Sequence, residues 1–381
     1  MTKLPVWADV VLVPLISLAL AAIVSALVLL SIGQSPVEAF TVMVEGALGS
    51  PYAWGYTLYY ATSFIFTGLA VTVAFHGGLF NIGGEGQAQL GGLGVALVCL
   101  ALPWPHWTLA LLAAMIGGAA FGAAWAAIPA WLQAKRGSHI VITTIMFNYI
   151  AAALLIYVLV NVLRPDGQMD PASARFPEGA KLPQFQDIPL LQNLFLKYTP
   201  EGLVKLGKNG LAAYEKVPAN VTFFIACLAC VMVWALLWRT RLGYEIRAFG
   251  KSEKAANYAG ISSTKIIMVA MLISGGLSGL MAINNVMGES ERLLQNSAEG
   301  AGFIGIAVAL MGRNHPAGVF LAAILFGFLF QGGAELGLWT SIPIELRTVV
   351  QGLVILFTGA LDQMVRMMLG VFFRPGPKGA A

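Results

Sequence analysis

Long apolar runs alternate with short polar connections along the chain. Most runs hold about twenty residues, the length that an α-helix needs to cross a bilayer, and they lack the period-two alternation of a membrane β-barrel strand. The pattern predicts an all-α polytopic membrane protein with about ten transmembrane helices. The predicted spans are residues 10–32, 56–80, 84–102, 107–132, 140–163, 218–238, 266–287, 303–311, 317–331 and 349–369.

A glycine-rich segment interrupts this pattern between the second and third predicted spans. Residues 77–87 hold five glycines around Asn81, Glu85 and Gln87. Because each glycine in a helix interior costs about 1 kcal/mol relative to alanine, we do not expect one continuous helix here. The segment predicts a broken helix, and in transporters such breaks at membrane depth commonly mark the substrate path.

A second interruption follows the short apolar run 303–311. This run ends at Gly312-Arg313-Asn314-His315-Pro316. A helix this short does not cross hydrocarbon about 30 Å thick. We therefore expect a half-span that turns sharply back.

Composition supports the membrane class and excludes a soluble protein. The 381 residues are 58% hydrophobic and only 10% charged, whereas soluble proteins carry about 25% charged residues. The net charge of +4 is spread over loops between apolar spans, so it does not indicate a nucleic-acid partner.

The charges of two long connections predict the topology. Segment 239–265 carries six basic and two acidic residues, and segment 164–217 carries seven basic and six acidic residues. Because short cytoplasmic loops are enriched in Lys and Arg, we assign 239–265 to the cytoplasm and 164–217 to the extracytoplasmic side. Counting spans from these loops places both termini in the cytoplasm, with the first apolar run kept as a span.

Polar residues inside the predicted spans are candidates for the substrate pathway. A carboxylate in the membrane costs about 2.5–3.5 kcal/mol, so Glu85 either lies at the interface or lines a wet pathway with Asn81 and Gln87. The amides of three further residues either hold helices together or contact a solute. These residues are Asn148, Asn284 and Gln331.

The basic loop contains a short helix signal. Ser252 is a typical N-cap with Glu253 in the first turn, and Gly260 is a typical helix end. Ala255 and Ala256 give the predicted helix a face of small side chains. Such a helix suits a groove on another protein; an ordinary amphipathic loop helix is the alternative.

Three motifs resemble those of a known family. The Ala255-Ala256-x-x-x-Gly260 spacing resembles the ATPase-docking motif of permease subunits of bacterial ABC importers. Glu253 stands two positions before Ala255 and not directly before it. In this respect the loop resembles that of the branched-chain amino acid, simple-sugar and nucleoside permease family. Segments 80–87 and 305–316 resemble the nucleoside-type members of that family.

The resemblance implies a permease subunit that is not itself an enzyme and carries no cofactor, since a partner ATPase binds the ATP. Its implied partners are cytoplasmic ATPase subunits, a second permease and an extracytoplasmic binding protein, in a bacterial inner membrane. The implied solutes are nucleosides, with simple sugars second. The residues implied in ATPase coupling are Arg247, Gly250, Glu253, Ala255, Ala256 and Gly260.

Two other classes are weighed against this interpretation. In an ion-coupled secondary transporter, Glu85 would bind the proton or sodium ion, and nothing in the sequence forbids it. An intramembrane enzyme is disfavoured because the spans lack clustered His, Cys or paired acidic residues. On the favoured interpretation, residues 1–381 form a single transmembrane permease domain.

Overall fold

The computed structural model describes residue 5 and residues 12–339, 345–357, 364–365 and 367–369. These residues form helices and turns, with five isolated β-bridges outside any strand. The helices are α1 (Val13–Ser31), α2 (Pro36–Leu48), α3 (Pro51–His76), α4 (Gly84–Ala101), α5 (Trp107–Arg136), α6 (Ile140–Val158), α7 (Thr222–Arg239), α8 (Arg241–Lys251), α9 (Glu253–Tyr258), α10 (Ser263–Ala282), α11 (Ala301–Met311), α12 (Pro316–Trp339) and α13 (Glu345–Ile355).

Seven helices among the described residues are long and apolar enough to cross a membrane, with π-helical turns extending α6 and α10. They are Val13–Ser31, Pro51–His76, Trp107–Arg136, Ile140–Leu163, Thr222–Arg239, Ser263–Glu289 and Pro316–Leu338. The all-helical prediction is confirmed, and seven of the roughly ten predicted spans are matched. Helix α4 has 18 residues but a polar first turn, and α11 has only 11 residues. The last predicted span falls partly outside the described residues.

The chain divides into two compact units. The first unit comprises residues 1–49 and 328–381 as far as they are described. In it, Val13 packs in a buried apolar cluster with Val365 and Leu369. Helix α2 belongs to this unit and was not predicted. Its N-cap is Ser35, whose hydroxyl accepts a hydrogen bond from the Glu38 amide.

The second unit comprises residues 50–327. Its centre is built from α3, α4, α5 and α10, and glycines let these helices pack backbone against backbone. A Cβ atom on Gly279 of α10 would lie 2.1 Å from the Gly118 carbonyl oxygen of α5. Small residues at such contacts are how membrane helices gain close packing. The predicted loop 164–217 is folded, with Phe185 and Phe195 buried beside Tyr59 of α3.

Candidate functional site: the glycine break and the basic loop

The predicted break in the glycine-rich segment is confirmed. Helix α3 ends at His76 and α4 begins at Gly84, so residues 77–83 leave the helical path. Gly78 has a φ angle of +68°, a left-handed conformation that glycine adopts without steric cost. The break places the first turn of α4 inside the bundle, where Glu85 has 5% of its surface exposed and Gln87 has 1%.

Asn81 ties the break to three helices. Its side-chain nitrogen donates to the side-chain oxygen Oε1 of Gln87 at 2.9 Å and to the Ser274 hydroxyl at 2.8 Å, and its own side-chain oxygen accepts from the Gly83 backbone amide at 2.9 Å. Ser274 on α10 in turn donates to the Ala70 carbonyl of α3 at 2.7 Å. The polar atoms of this buried side chain are therefore satisfied by protein partners.

Asn148 secures the break from α6. Its side-chain oxygen accepts from the Gly86 amide at 2.9 Å, and its nitrogen donates to the Ile82 carbonyl at 2.9 Å. Gly86 lies in the first turn of α4, where backbone amides have no partner within the helix. Asn148 thus supplies a cap from a helix distant in sequence.

Glu85 joins the two interruptions that the sequence shows separately. One carboxylate oxygen accepts from the Gly300 amide at 3.0 Å and the other from the Gly302 amide at 2.9 Å. Helix α11 begins at Ala301, so Glu85 caps the N-terminus of the predicted half-span. The position is favourable because a helix N-terminus carries a partial positive charge. Since the side chain is buried, Glu85 is not the exposed interfacial group that one interpretation expected.

The remaining amides lie elsewhere. Asn284 is fully buried in the π-helical turn after α10, where it donates to the Tyr59 carbonyl and the Ser63 hydroxyl, both at 2.9 Å. Its oxygen accepts from Asn220 at 3.1 Å. Gln331 belongs to the first unit, where it donates to the Gly46 carbonyl at 3.3 Å. The structure brings together four of the six predicted pathway residues: Asn81, Glu85, Gln87 and Asn148.

The basic loop forms two helices, α8 and α9. The predicted cap of α9 is confirmed, since the Ser252 hydroxyl accepts from the Ala255 amide at 3.3 Å and Gly260 has a φ angle of +83°. Helix α8 was missed. Its signal was present in Thr240, which caps the helix through the Gly243 amide at 3.0 Å, followed by buried Ile246 one turn later.

The end of α8 rests directly on the glycine break. A Cβ atom on Gly250 would lie 2.1 Å from the His76 carbonyl oxygen and 2.8 Å from the Gly78 nitrogen. No side chain larger than hydrogen fits at this contact without a shift of backbone. The basic loop and the broken helix therefore meet backbone to backbone.

Arg247 anchors α8 to the ends of other helices. Its guanidinium lies 5.9 Å from the ring centroid of Trp238 on α7, and that ring contacts His76 at 5.2 Å and His315 at 5.0 Å. His76 is also hydrogen-bonded through Nε2 to the Asn314 carbonyl oxygen at 2.9 Å. This cluster links α8 to the end of α3 and to the turn after α11.

The family described as "Branched-chain amino acid transport system / permease component" matches residues 54–359. The chain belongs to this permease family. The resemblance predicted from the three motifs is confirmed, and with it the prediction that the chain is a multi-pass membrane transport subunit and not an enzyme.

Three relatives are similar to the permease over nearly its whole length. The guanosine ABC transporter permease NupP of Bacillus subtilis is 35% identical, covering 96% of this chain and 97% of NupP. The glucose permease TsgB13 of Haloferax volcanii is 33% identical, covering 94% and 90%, and the nucleoside permease NupB of Lactococcus lactis is 32% identical, covering 94% and 93%. No solved structure matches the chain.

The small residues of the permease loop differ in exposure. Ala256 has only 3% of its surface exposed and lines a cavity on the side of α9 that faces α8. Ala255 and Ala259 are exposed and border the same cavity of about 450 Å³ between α8 and α9. Tyr258, at 97% exposure, projects from the end of α9.

Proposed function

We propose that this permease subunit belongs to an ATP-driven importer that translocates nucleosides or related small polar solutes. Two of the three relatives described above are named for guanosine or nucleosides, and one is named for glucose. Simple sugars are therefore the second candidate. Each relative is named an ABC transporter permease, which favours ATP over the ion coupling considered as a rival.

The assembly that we propose contains two cytoplasmic ATPase subunits, a second permease, identical or homologous, and an extracytoplasmic binding protein. About ten spans cross a bacterial inner membrane in a single permease domain, with both termini in the cytoplasm. Segment 164–217 faces the binding protein and segment 239–265 faces the ATPases. The excess of basic residues in 239–265 supports this orientation.

The contact at Gly250 is the observation that carries the mechanism. ATP binding closes the ATPases and displaces α8 and α9 together. Helix α8 carries Arg247 and Gly250, and α9 carries Glu253, Ala255 and Ala256 and is followed by Gly260. Because Gly250 touches Gly78 with no side chain between them, a displacement of α8 acts on the break. From the break, Glu85 passes the displacement to α11.

The proposed pathway runs along the polar residues of the spans. Asn81, Glu85, Gln87 and Asn148 border it at the break, and Asn284 borders it elsewhere in the second unit. Gln331, in the first unit, is a separate candidate for contact with the solute. At the break these side chains bond to protein partners. A solute therefore reaches them only when the break opens, which ties solute contact to the movement of α8.

The test is Gly250→Ala in the assembled importer reconstituted in liposomes. Overpacking costs about 1–3 kcal/mol, so we expect roughly tenfold slower uptake with the ATPases still bound. Gly352→Ala is the matched control, because no atom lies within 4 Å of a Cβ at that position. Wild-type uptake by Gly250→Ala would remove the proposed coupling route.

The solute class is tested by competition. Excess unlabelled guanosine should suppress uptake of labelled nucleoside by the wild-type importer, whereas glucose should not. Uptake of labelled glucose that unlabelled glucose suppresses and guanosine does not would instead assign the importer to simple sugars. Vanadate should stop uptake and an ionophore should not, and the opposite result would favour an ion-coupled transporter.

A further inference from the structure

An apolar groove lies between α7 and α12 within the second unit. Its cavity measures about 560 Å³ and is lined by Cys227, Val231 and Trp234 on α7 and by Ala317, Phe320 and Leu321 on α12. Leu321 is 67% exposed and Val231 is 59% exposed. Because both helices are candidate membrane spans, these side chains face the surroundings at membrane depth.

One end of the groove is polar and cationic. The Arg239 guanidinium lies 5.1 Å from the ring centroid of Trp234, so a positive charge sits beside the groove lining. His315 also lines the groove and accepts a hydrogen bond from the Ala317 amide at 3.3 Å, at the start of α12. The groove lining includes no acidic side chain among the described residues.

We propose that this groove binds one anionic phospholipid, with an acyl chain along α7 and α12 and the phosphate at Arg239 and His315. Basic pockets between transmembrane helices on the cytoplasmic side are suited to anionic headgroups, because that leaflet carries a negative surface potential. Tryptophan at the level of the headgroups is typical of a membrane interface, and Trp234 lies five residues before Arg239 on α7.

Charge complementarity decides between lipid and protein as the occupant. The lining of the groove is apolar, as lipid tails require, and the charge of Arg239 beside it matches a phosphate. A second permease would have to supply both an apolar ridge for the groove and an acidic group opposite Arg239. An anionic phospholipid carries both features in one molecule.

The chain supplies an internal control for the cationic end. At the end of α5, the Arg136 guanidinium lies 5.6 Å from the ring centroid of Trp131. This pair repeats the Arg239–Trp234 arrangement, and neither of its residues lines the groove. If an arginine stacked on tryptophan were sufficient, both pairs would bind lipid equally well.

The experiment is native mass spectrometry of the purified, delipidated permease with phosphatidylglycerol, phosphatidylcholine or diacylglycerol added back. We expect one phosphatidylglycerol to be retained in preference to the other two. Arg239→Gln should lower its retention about fivefold, since one basic residue near the surface contributes about 1 kcal/mol. Ala317→Trp, which fills the groove, should abolish it, while Arg136→Gln should not change it.

Three outcomes would overturn the proposal. Equal retention of phosphatidylglycerol and phosphatidylcholine would remove headgroup recognition. Full retention by an Ala317→Trp variant that melts at the wild-type temperature would remove the groove as the site. Protection of Cys227 from maleimide in lipid-free complexes, with loss of the second permease in Ala317→Trp, would assign the groove to a subunit contact.

Discussion

The glycine break and the basic loop are in direct contact but differ in how far their side chains are buried and bonded. At the break, buried side chains such as Asn81 and Asn148 are fully engaged with backbone or side-chain partners. In the loop, α9 is short and mostly exposed, and a cavity lies between part of it and α8. The difference teaches that the bonded side chains lie inside the protein whereas the side chains of α9 face outward, with Gly250 of α8 as the contact to the break.

The largest effect is expected from a substitution at the glycine break. Glu85→Ala removes both acceptors of the α11 N-terminus, and a hydrogen bond to a charged group contributes about 1.5–3 kcal/mol. We expect uptake below detection and a lower melting temperature in detergent. Glu85→Gln keeps one acceptor, so its uptake rate and melting temperature should lie between those of Glu85→Ala and the wild type.

Melting and uptake together separate the two roles of Glu85. If Glu85→Gln slows uptake while melting at the wild-type temperature, the carboxylate serves the pathway and not the cap. Glu253→Gln is the matched control, since Glu253 is exposed on α9 and should leave the melting temperature unchanged.

The next prediction compares a buried and an exposed alanine on α9. Ala256 is buried and Ala255 exposed, so the same substitution should act differently. Ala256→Glu buries an unpaired charge, which costs several kcal/mol, and should unfold the loop. Ala255→Glu should leave the fold intact and weaken co-purification with the ATPase. Limited proteolysis of the loop measures the first effect and a pull-down measures the second.

This prediction would be contradicted if Ala256→Glu behaved as expected for Ala255→Glu. If Ala256→Glu kept the loop protected from protease and lost only the ATPase, then Ala256 would face the partner as the sequence first predicted. The burial of its side chain would then not hold in the assembled importer.

One glycine in each region has a left-handed backbone conformation, so the same substitution can be compared at the break and in the loop. Gly78 and Gly260 have φ angles of +68° and +83°, and alanine at either position costs about 1–2 kcal/mol. A Cβ on Gly78 would also lie 3.2 Å from the Gly250 Cα atom, whereas one on Gly260 would meet nothing within 4 Å. Gly78→Ala should therefore slow uptake several-fold more than Gly260→Ala. Equal uptake rates in the two variants would show that the backbone strain of alanine at a positive φ accounts for the effect and that the contact with Gly250 adds nothing.

The smallest effect lies far from both regions, in the folded segment after α6. Hydrogen bonds to Glu178 and Glu291 raise the pKa of Lys181, and such exposed ion pairs contribute less than about 1 kcal/mol. Because the pKa is raised on folding, this contribution is complete below the unfolded value near 10.4 and is lost as the pH rises through the folded value. The stability difference between wild type and Lys181→Met should therefore be constant from pH 7 to about pH 9.

Denaturant titrations at these pH values measure the difference. A gap that widened with rising pH would have the wrong sign for a lysine with a raised pKa, and the ion pairs would then not be the cause.

Local signals made much of the fold predictable. Glycines 77–87 predicted the break, the apolar run 303–311 predicted a short helix, and Ser252 with Gly260 predicted the limits of α9. In each case the cause lies within a few residues of the effect. Helix α2 also had a local signal in Ser35-Pro36, an N-cap before a proline at the first helical position, although the pattern of apolar runs predicts no span there.

The candidate site was less predictable because its partners are distant in sequence. Glu85 bonds to Gly300 across 215 residues, and Asn81 bonds to Ser274 across 193. No periodicity or motif assigns a carboxylate to a helix N-terminus that far away. The burial of Ala256 depends on how α9 lies against α8, which the pattern of small residues does not determine.

The cap on α11 also constrains how the protein is made. The amides of Gly300 and Gly302 leave the ribosome more than two hundred residues after Glu85, a delay of about 10–40 s at 5–20 residues per second. During that interval the Glu85 carboxylate of α4 has no helix N-terminus to cap. The synthesis of α11 therefore supplies hydrogen-bond donors to a side chain made long before it, and this pairing joins an early helix to a late one before α12 and α13 follow.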